Sequence, residues 1–170
     1  MNIHPLIVHF PIAFLSLYAI FELIRVKRLV ISREWRYIKA TLLVLGLIGA
    51  LAAAATGDFG KSLFPGAHQV IALHELVAKM TIVIFGVLAA IVVIGLFDEW
   101  FGVWFAETFG GLWRFIMRVR NAFASPIVMV ALAAIGLILL VVTGILGAAI
   151  VYGPTGDVFI SAVYGLFFKQ

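Results

Sequence analysis

The sequence contains no cysteine among its 170 residues. The protein therefore has no disulfide, no thiolate metal ligand and no attachment point for a c-type haem. Charged residues are also scarce, at 12% of the chain, whereas 65% of the residues are hydrophobic and the mean hydropathy is +1.21. Soluble domains carry about 25% charged residues. The composition excludes a soluble fold and is typical of an integral membrane protein.

Two motifs of hydrolytic enzymes are missing as well. The sequence has no Gly-x-Ser-x-Gly, the turn that presents a serine nucleophile, and no HExxH, the helical zinc motif of metalloproteases. Ser16 lies inside an apolar run without an evident base. We therefore assign no catalytic residue.

Four apolar runs are long enough to cross a bilayer, which takes about 20 residues of helix. They cover about residues 6–24, 40–57, 76–97 and 126–151. The first run lacks a basic leader and an A-x-A cleavage site, so we interpret it as a retained span rather than a signal peptide. The sequence predicts one all-α membrane domain over residues 1–170, a bundle of four transmembrane helices.

Basic residues are concentrated in two of the connections between these runs. The first connection contains Arg25, Lys27, Arg28, Arg33, Arg36 and Lys39. The third contains Arg114, Arg118 and Arg120, whereas the second has only Lys61. The positive-inside rule places the first and third connections in the cytoplasm, so both termini face outward. The net charge of +4 is thus a topology signal, and the expected partner is the lipid bilayer rather than nucleic acid.

Residues 98–124, between spans 3 and 4, are aromatic, become basic towards their end and are interrupted by Gly110-Gly111. This pattern predicts one or two amphipathic helices in the inner interface. Trp100, Trp104 and Trp113 are expected to be interfacial belt residues.

The second span is rich in glycine and alanine at four-residue spacing. Gly46 and Ala50 form one such series, and Gly49, Ala53 and Gly57 form another. Small residues at this spacing allow two helices to approach closely in lipid. The series predicts a tightly packed helix pair.

All four histidines fall at the outer ends of the predicted spans. His4 and His9 belong to the opening HPLIVHFP, and His68 and His74 precede span 3. Small residues follow two of them on the same helical face, namely Ala13 and Ser16 after His9, and Ala78 and Thr81 after His74. We therefore expect His9 and His74 to face each other inside the bundle.

The histidine cluster allows three interpretations. Haem b needs two neutral imidazoles on facing helices, and His9 with His74 is the predicted pair, with Asp58 and Tyr152 at the same end to orient an imidazole or meet a propionate. Zinc or copper is the alternative, and the candidate metal ligands are His4, His9, His68, His74 and Glu75. In the third interpretation the histidines only cap helix ends at the interface.

The opening HPLIVHFPIAFLSLYAIFEL resembles that of a bacterial family of four-span predicted membrane proteins, domain of unknown function 2231, whose hallmark is HPxxVHFPI. The segment GILGAAIVYG (residues 144–153) is similar to the closing motif of that family. The resemblance implies a multi-pass protein of the bacterial inner (plasma) membrane. Some members are fused to cytochrome c domains, which implies a link to electron transfer. This sequence departs from the family at Ala78, where many members have Asn, and at Gly153-Pro154, where some have His.

The leading functional hypothesis is a b-type haem protein or electron-transfer accessory protein, with redox or membrane-complex proteins as partners. The alternative is a non-catalytic structural subunit or scaffold of a larger membrane complex. A scaffold needs only the small-residue series and the aromatic belt, whereas haem binding needs two inward histidines.

Overall fold

The computed structural model describes residues 4–61, 66–153 and 155–168, apart from the side chains of Pro5 and of residues 58–61. These residues form seven helices and no strand: α1 (His4–Leu23), α2 (Lys27–Val30), α3 (Arg33–Lys61), α4 (His68–Phe109), α5 (Gly111–Phe123), α6 (Pro126–Tyr152) and α7 (Val158–Phe167). The predicted all-α class is confirmed.

Four of these helices are long and apolar enough to cross a membrane, namely α1, α3, α4 and α6. The four predicted spans are therefore confirmed. The longest, α4, has 42 residues. At 1.5 Å per residue it is about 63 Å long, roughly twice the thickness of a bilayer's hydrocarbon core. One end of α4 must extend beyond the membrane.

The four long helices form a closed ring. The most extensive contacts join α1 to α3 and α4 to α6, and smaller contacts join α1 to α6 and α3 to α4. In this arrangement α1 and α4 face each other diagonally across the interior. The rings of Tyr18 on α1 and Phe85 on α4 meet there, edge to face, with centroids 6.2 Å apart.

The contact between α1 and α3 is built on the predicted glycine series. A Cβ at Gly46 would lie 2.6 Å from Leu15 Cδ2, and a Cβ at Gly49 would lie 3.0 Å from Pro11 Cδ. No side chain fits at either position without moving its neighbour. The prediction that this series brings two helices close together is confirmed, and the partner is α1.

The contact between α4 and α6 uses the same device. A Cβ at Gly136 on α6 would lie 3.0 Å from Phe85 Cζ on α4. The start of α6 is fixed by Ser125, whose side chain accepts a hydrogen bond from the backbone N–H of Val128, and by Pro126 in the first turn. The molecule is thus two helical hairpins, α1–α3 and α4–α6, each closed around glycines of its second helix.

The two ends of the bundle differ in character. At one end, here called the histidine end, lie the N-termini of α1 and α4 and the C-termini of α3 and α6. At the other, here called the basic end, Glu22 is buried and its carboxylate lies 2.5 Å from Lys39 Nζ and 3.6 Å from Arg25 Nη1. A charge buried in this way requires such partners.

Beyond the basic end, α4 and α5 form an antiparallel hairpin. Gly110 adopts φ +47°, which allows the chain to reverse between the two helices. Trp113 Nε1 donates a hydrogen bond to Asp98 Oδ1, and its ring stacks on Phe105 at 4.6 Å. Residues 98–109 therefore continue α4, and only α5 is a separate amphipathic helix.

The expectation that Trp113 is a belt residue is wrong. Its side chain is only 9% exposed because it fills the seam between α4 and α5. Trp100 and Trp104 are exposed, as a belt residue requires.

Candidate functional site

His4 lies at the start of α1 on its buried stripe. The inward positions of α1 are Pro11, Leu15, Tyr18 and Glu22, and His4 precedes Pro11 by two helical turns. Its Nδ1 lies 3.1 Å from Thr56 Oγ1 on α3. The Thr56 hydroxyl also lies 3.1 Å from the carbonyl oxygens of both Ala52 and Ala53, and its one proton can be donated either to a carbonyl or to His4. When a carbonyl accepts it, Nδ1 of His4 donates to Thr56, and in the neutral ring the lone pair lies on Nε2.

His74 is also hydrogen-bonded through its Nδ1, but to a backbone carbonyl group. It lies on the buried stripe of α4 that contains Val70, Val77, Thr81 and Phe85. Its Nδ1 lies 3.0 Å from the backbone carbonyl oxygen of Thr143 on α6. Because a carbonyl only accepts, Nδ1 of His74 donates, and in the neutral ring the lone pair again lies on Nε2.

Each histidine ring rests on a glycine of the helix that is paired with its own. A Cβ at Gly57 would lie 3.7 Å from Cε1 of His4, and a Cβ at Gly147 would lie 3.4 Å from Cε1 of His74. A larger side chain at either glycine would reach past the Cβ into the ring. The two glycines therefore provide the space in which the imidazoles stand between the helices.

These contacts repeat between the two hairpins with the same spacing. His4 precedes Leu15 by eleven residues, and His74 precedes Phe85 by eleven. The glycines that receive these four side chains are also eleven residues apart in each hairpin: Gly57 and Gly46 in the first, Gly147 and Gly136 in the second. The hairpins are thus related by a pseudo-twofold axis along the bundle.

The axis makes His4 and His74 equivalent residues on diagonal helices. The two side chains are close enough to interact electrostatically. Below them, Thr81 Oγ1 and Thr143 Oγ1 lie 3.3 Å apart, and deeper in the bundle the interior is apolar around Leu15 and Phe85. The interior of the histidine end is therefore lined by polar side chains that lie above an apolar core.

The remaining predicted site residues lie elsewhere. His9 is exposed on the outer face of α1, five residues and about 140° around the helix from His4. His68, at the first turn of α4, and Tyr152, at the last turn of α6, are exposed as well. Glu75 is half-buried and interacts electrostatically with His74. The structure thus brings His4 and His74 towards the interior, but not His9.

Asp58 lies on α3, and its side chain is outside the described residues. Within the described residues, no three histidine, aspartate or glutamate side chains form a group that would hold a metal ion.

Sequence reasoning missed the inward position of His4, although a signal was present. Pro11, Leu15, Tyr18 and Glu22 already trace a stripe with spacings of three and four residues, and extending it backwards by seven residues reaches His4. The small residues after His9 pointed to the opposite face. In the structure Ala13 is exposed, because the small residues that receive α1 belong to α3.

Residues 1–156 match the model of a family described as a predicted membrane protein, DUF2231. The chain belongs to this family. The family that the sequence was found to resemble is thereby confirmed. No curated protein and no solved structure matches the chain. The family match and the four apolar helices indicate a multi-pass membrane protein.

Proposed function

We propose that this protein is a membrane-embedded b-type haem protein that serves as an accessory protein in electron transfer, and that His4 and His74 would hold the haem iron. The observation that carries the proposal is the equivalence of these two imidazoles across the pseudo-twofold axis, each hydrogen-bonded through Nδ1. Two imidazoles on facing helices are a donor pair that suits haem b.

The chemistry of the donor set fits bis-imidazole ligation. A ligating histidine normally donates its second ring N–H to a carbonyl or another acceptor, which fixes the tautomer and the ring orientation. The carbonyl of Thr143 accepts from His74 in this way, and the Thr56 hydroxyl would do the same for His4. The bound haem would supply one-electron redox chemistry. The protein would orient the two rings, and the apolar core below them would exclude water.

Haem is favoured over zinc or copper because it needs only two protein ligands. A structural zinc site needs four ligands and a catalytic one needs three. The described residues provide no group of three at this end. His9, His68 and Glu75 stay candidate metal ligands by prediction only, and Asp58 and Tyr152 stay candidate partners of an imidazole or a propionate.

The proposed location is the bacterial inner membrane, with both termini and the histidine end on the periplasmic side. The excess of basic residues in the first and third connections supports this orientation. The electron would then be exchanged with a redox partner protein at the outer face.

The absorption spectrum of the purified protein tests the proposal. Protein produced with haem available is expected to show a Soret band that is lost in His4→Ala and in His74→Ala. His9→Ala and His68→Ala are the matched controls, because both side chains are exposed, and both are expected to keep the band. A colourless wild type would overturn haem binding. A band lost in His9→Ala but kept in His4→Ala would restore the pairing of His9 with His74.

A scaffold role is the second candidate, and one observation favours it. The α4–α5 hairpin carries large apolar side chains that are exposed beyond the basic end, among them Trp104, Val103 and Phe115. Aromatic side chains are enriched at protein–protein contacts. If the protein is a scaffold, the histidine variants are expected to have the absorption spectrum of the wild type. Trp104→Ala is then expected to lose a partner protein during purification.

A further inference from the structure

At the basic end, a groove between α3 and α4 is open to the outside of the bundle. The groove has a volume of about 230 Å³ and is lined by Tyr37, Leu96, Phe97, Trp100 and Phe101. Phe97, Trp100 and Phe101 are about half exposed or more, at 48%, 64% and 49%. The walls are almost entirely apolar, and four of the five lining residues lie on α4.

The mouth of this groove has more hydrogen-bond donors than acceptors. Tyr37 Oη accepts from Arg33 Nε at 3.2 Å, from Arg33 Nη2 at 3.1 Å and from Trp100 Nε1 at 3.2 Å. A hydroxyl oxygen has two lone pairs, so three N–H groups compete for them. The guanidinium also lies over the Tyr37 ring, 5.4 Å from its centroid. One oxygen atom is therefore the shared acceptor of a cation and an indole.

Glu34 and Glu99 interact electrostatically with Arg33, but within the described residues neither forms a salt bridge with it. Glu99 forms an ion pair with Arg36, on the same helix as Arg33. Glu34 follows Arg33 in the first turn of α3, where the helix dipole favours a carboxylate. The exposed Arg33 guanidinium keeps three of its five N–H hydrogens for an additional acceptor.

The geometry points to a binding site for one phospholipid molecule, with its phosphate on Arg33 and Trp100 and one acyl chain in the groove. A phosphate has several strong acceptor oxygens. These oxygens would accept hydrogen bonds from the N–H groups of Arg33 and Trp100 that Tyr37 Oη cannot fully satisfy. A hydrocarbon chain matches the apolar walls. The site follows the apolar run of residues 76–97 on α4, so it would lie at the level of the lipid headgroups. It is separate from the histidine end and does not depend on haem.

Native mass spectrometry with defined lipids tests the site on the full-length protein in a neutral detergent. Phosphatidylglycerol is expected to bind with a lower dissociation constant than diacylglycerol, which has the chains without the phosphate, by about tenfold or more. Inorganic phosphate is expected to bind weakly and not to displace the lipid. If diacylglycerol binds as tightly as phosphatidylglycerol, the groove binds acyl chains without recognising the phosphate. If inorganic phosphate displaces the lipid, the site binds anions without recognising the acyl chains. Either result overturns the proposal.

Variants locate the lipid. Arg33→Gln removes the cation, and Trp100→Phe removes the indole N–H while keeping an aromatic ring in the wall of the groove, so each is expected to weaken phosphatidylglycerol binding about tenfold. Arg28→Gln is the matched control, because it removes an exposed cation from the neighbouring helix α2 and is expected to change nothing. If Arg28→Gln weakens binding as much as Arg33→Gln, the basic end attracts lipid without a site and the proposal fails. Trp100→Phe keeps the test decisive if Arg33→Gln does not fold.

Discussion

Replacing Gly49 with leucine should separate α1 from α3. A Cβ alone at this position lies 3.0 Å from Pro11 Cδ and 3.3 Å from Pro11 N. Non-bonded carbon atoms normally stay about 3.5–4.0 Å apart, so even alanine requires a shift of roughly 0.5–1 Å. The neighbour is a proline ring fixed to the backbone of α1 and cannot rotate away. A leucine adds three more carbon atoms to the same gap.

The expected loss of stability is about 1–3 kcal/mol, which is the usual cost of overpacking. Replacing a glycine in a helix interior stabilises the helix by up to about 1 kcal/mol. For Gly49→Ala this gain could cancel the cost of the close contact, so Gly49→Leu is the better test. For a protein of this size, the net loss corresponds to a decrease in Tm of roughly 2–12 °C. Thermal unfolding in detergent, followed by circular dichroism, measures it.

Gly144→Leu is the matched control. Gly144 lies on α6, and a Cβ there meets no atom within 4 Å. Its Tm is expected to stay within about 2 °C of the wild type or to rise slightly, because only the helix propensity changes. If Gly49→Leu and Gly144→Leu unfold at the same temperature, the seam between α1 and α3 tolerates a side chain and the packing described above is refuted.

Two further predictions concern the basic end and the orientation. Glu22→Ala should lower stability by about 3–5 kcal/mol, because the Lys39 ammonium would lose the carboxylate 2.5 Å away, and replacing both residues with leucine should recover most of that loss. Equal unfolding temperatures of the single and double variants would show that the pair is not coupled. Because the chain has no cysteine, a single cysteine at position 157 or 33 is a unique label, and we expect an impermeant thiol reagent to reach 157 but not 33 from outside. The opposite labelling pattern would invert the orientation.

Hydropathy and small-residue spacing predicted the membrane-spanning part of the fold well. The four spans, the glycine seam of α3 and the break at Gly110-Gly111 all follow from local patterns, because a lipid-exposed helix must be apolar over its whole length. The continuation of α4 to Phe109 did not follow. Residues 98–109 contain three charged side chains, and what keeps them helical is the packing of α5, which depends on contacts distant in the sequence.

The candidate site was predicted in part. His74 was placed inward correctly, whereas the choice between His4 and His9 depends on which face of α1 meets α3. That face is determined by Gly46, Gly49 and Gly57, roughly forty to fifty residues away in the chain. The symmetry between the hairpins was also invisible to motif reading, because it relates contacts between distant segments, such as that of His4 with Gly57 and that of His74 with Gly147.

The two-hairpin architecture has a consequence for how the protein is made. The seam between α1 and α3 uses only the first 61 residues, so the first hairpin can pack in the membrane while the ribosome is still synthesising α4. His4 and His74 belong to different hairpins, so neither half contains the pair. The polar residues of the histidine end therefore come together only when the two hairpins dock, and a ligand held between the two histidines would bind only after both hairpins have formed.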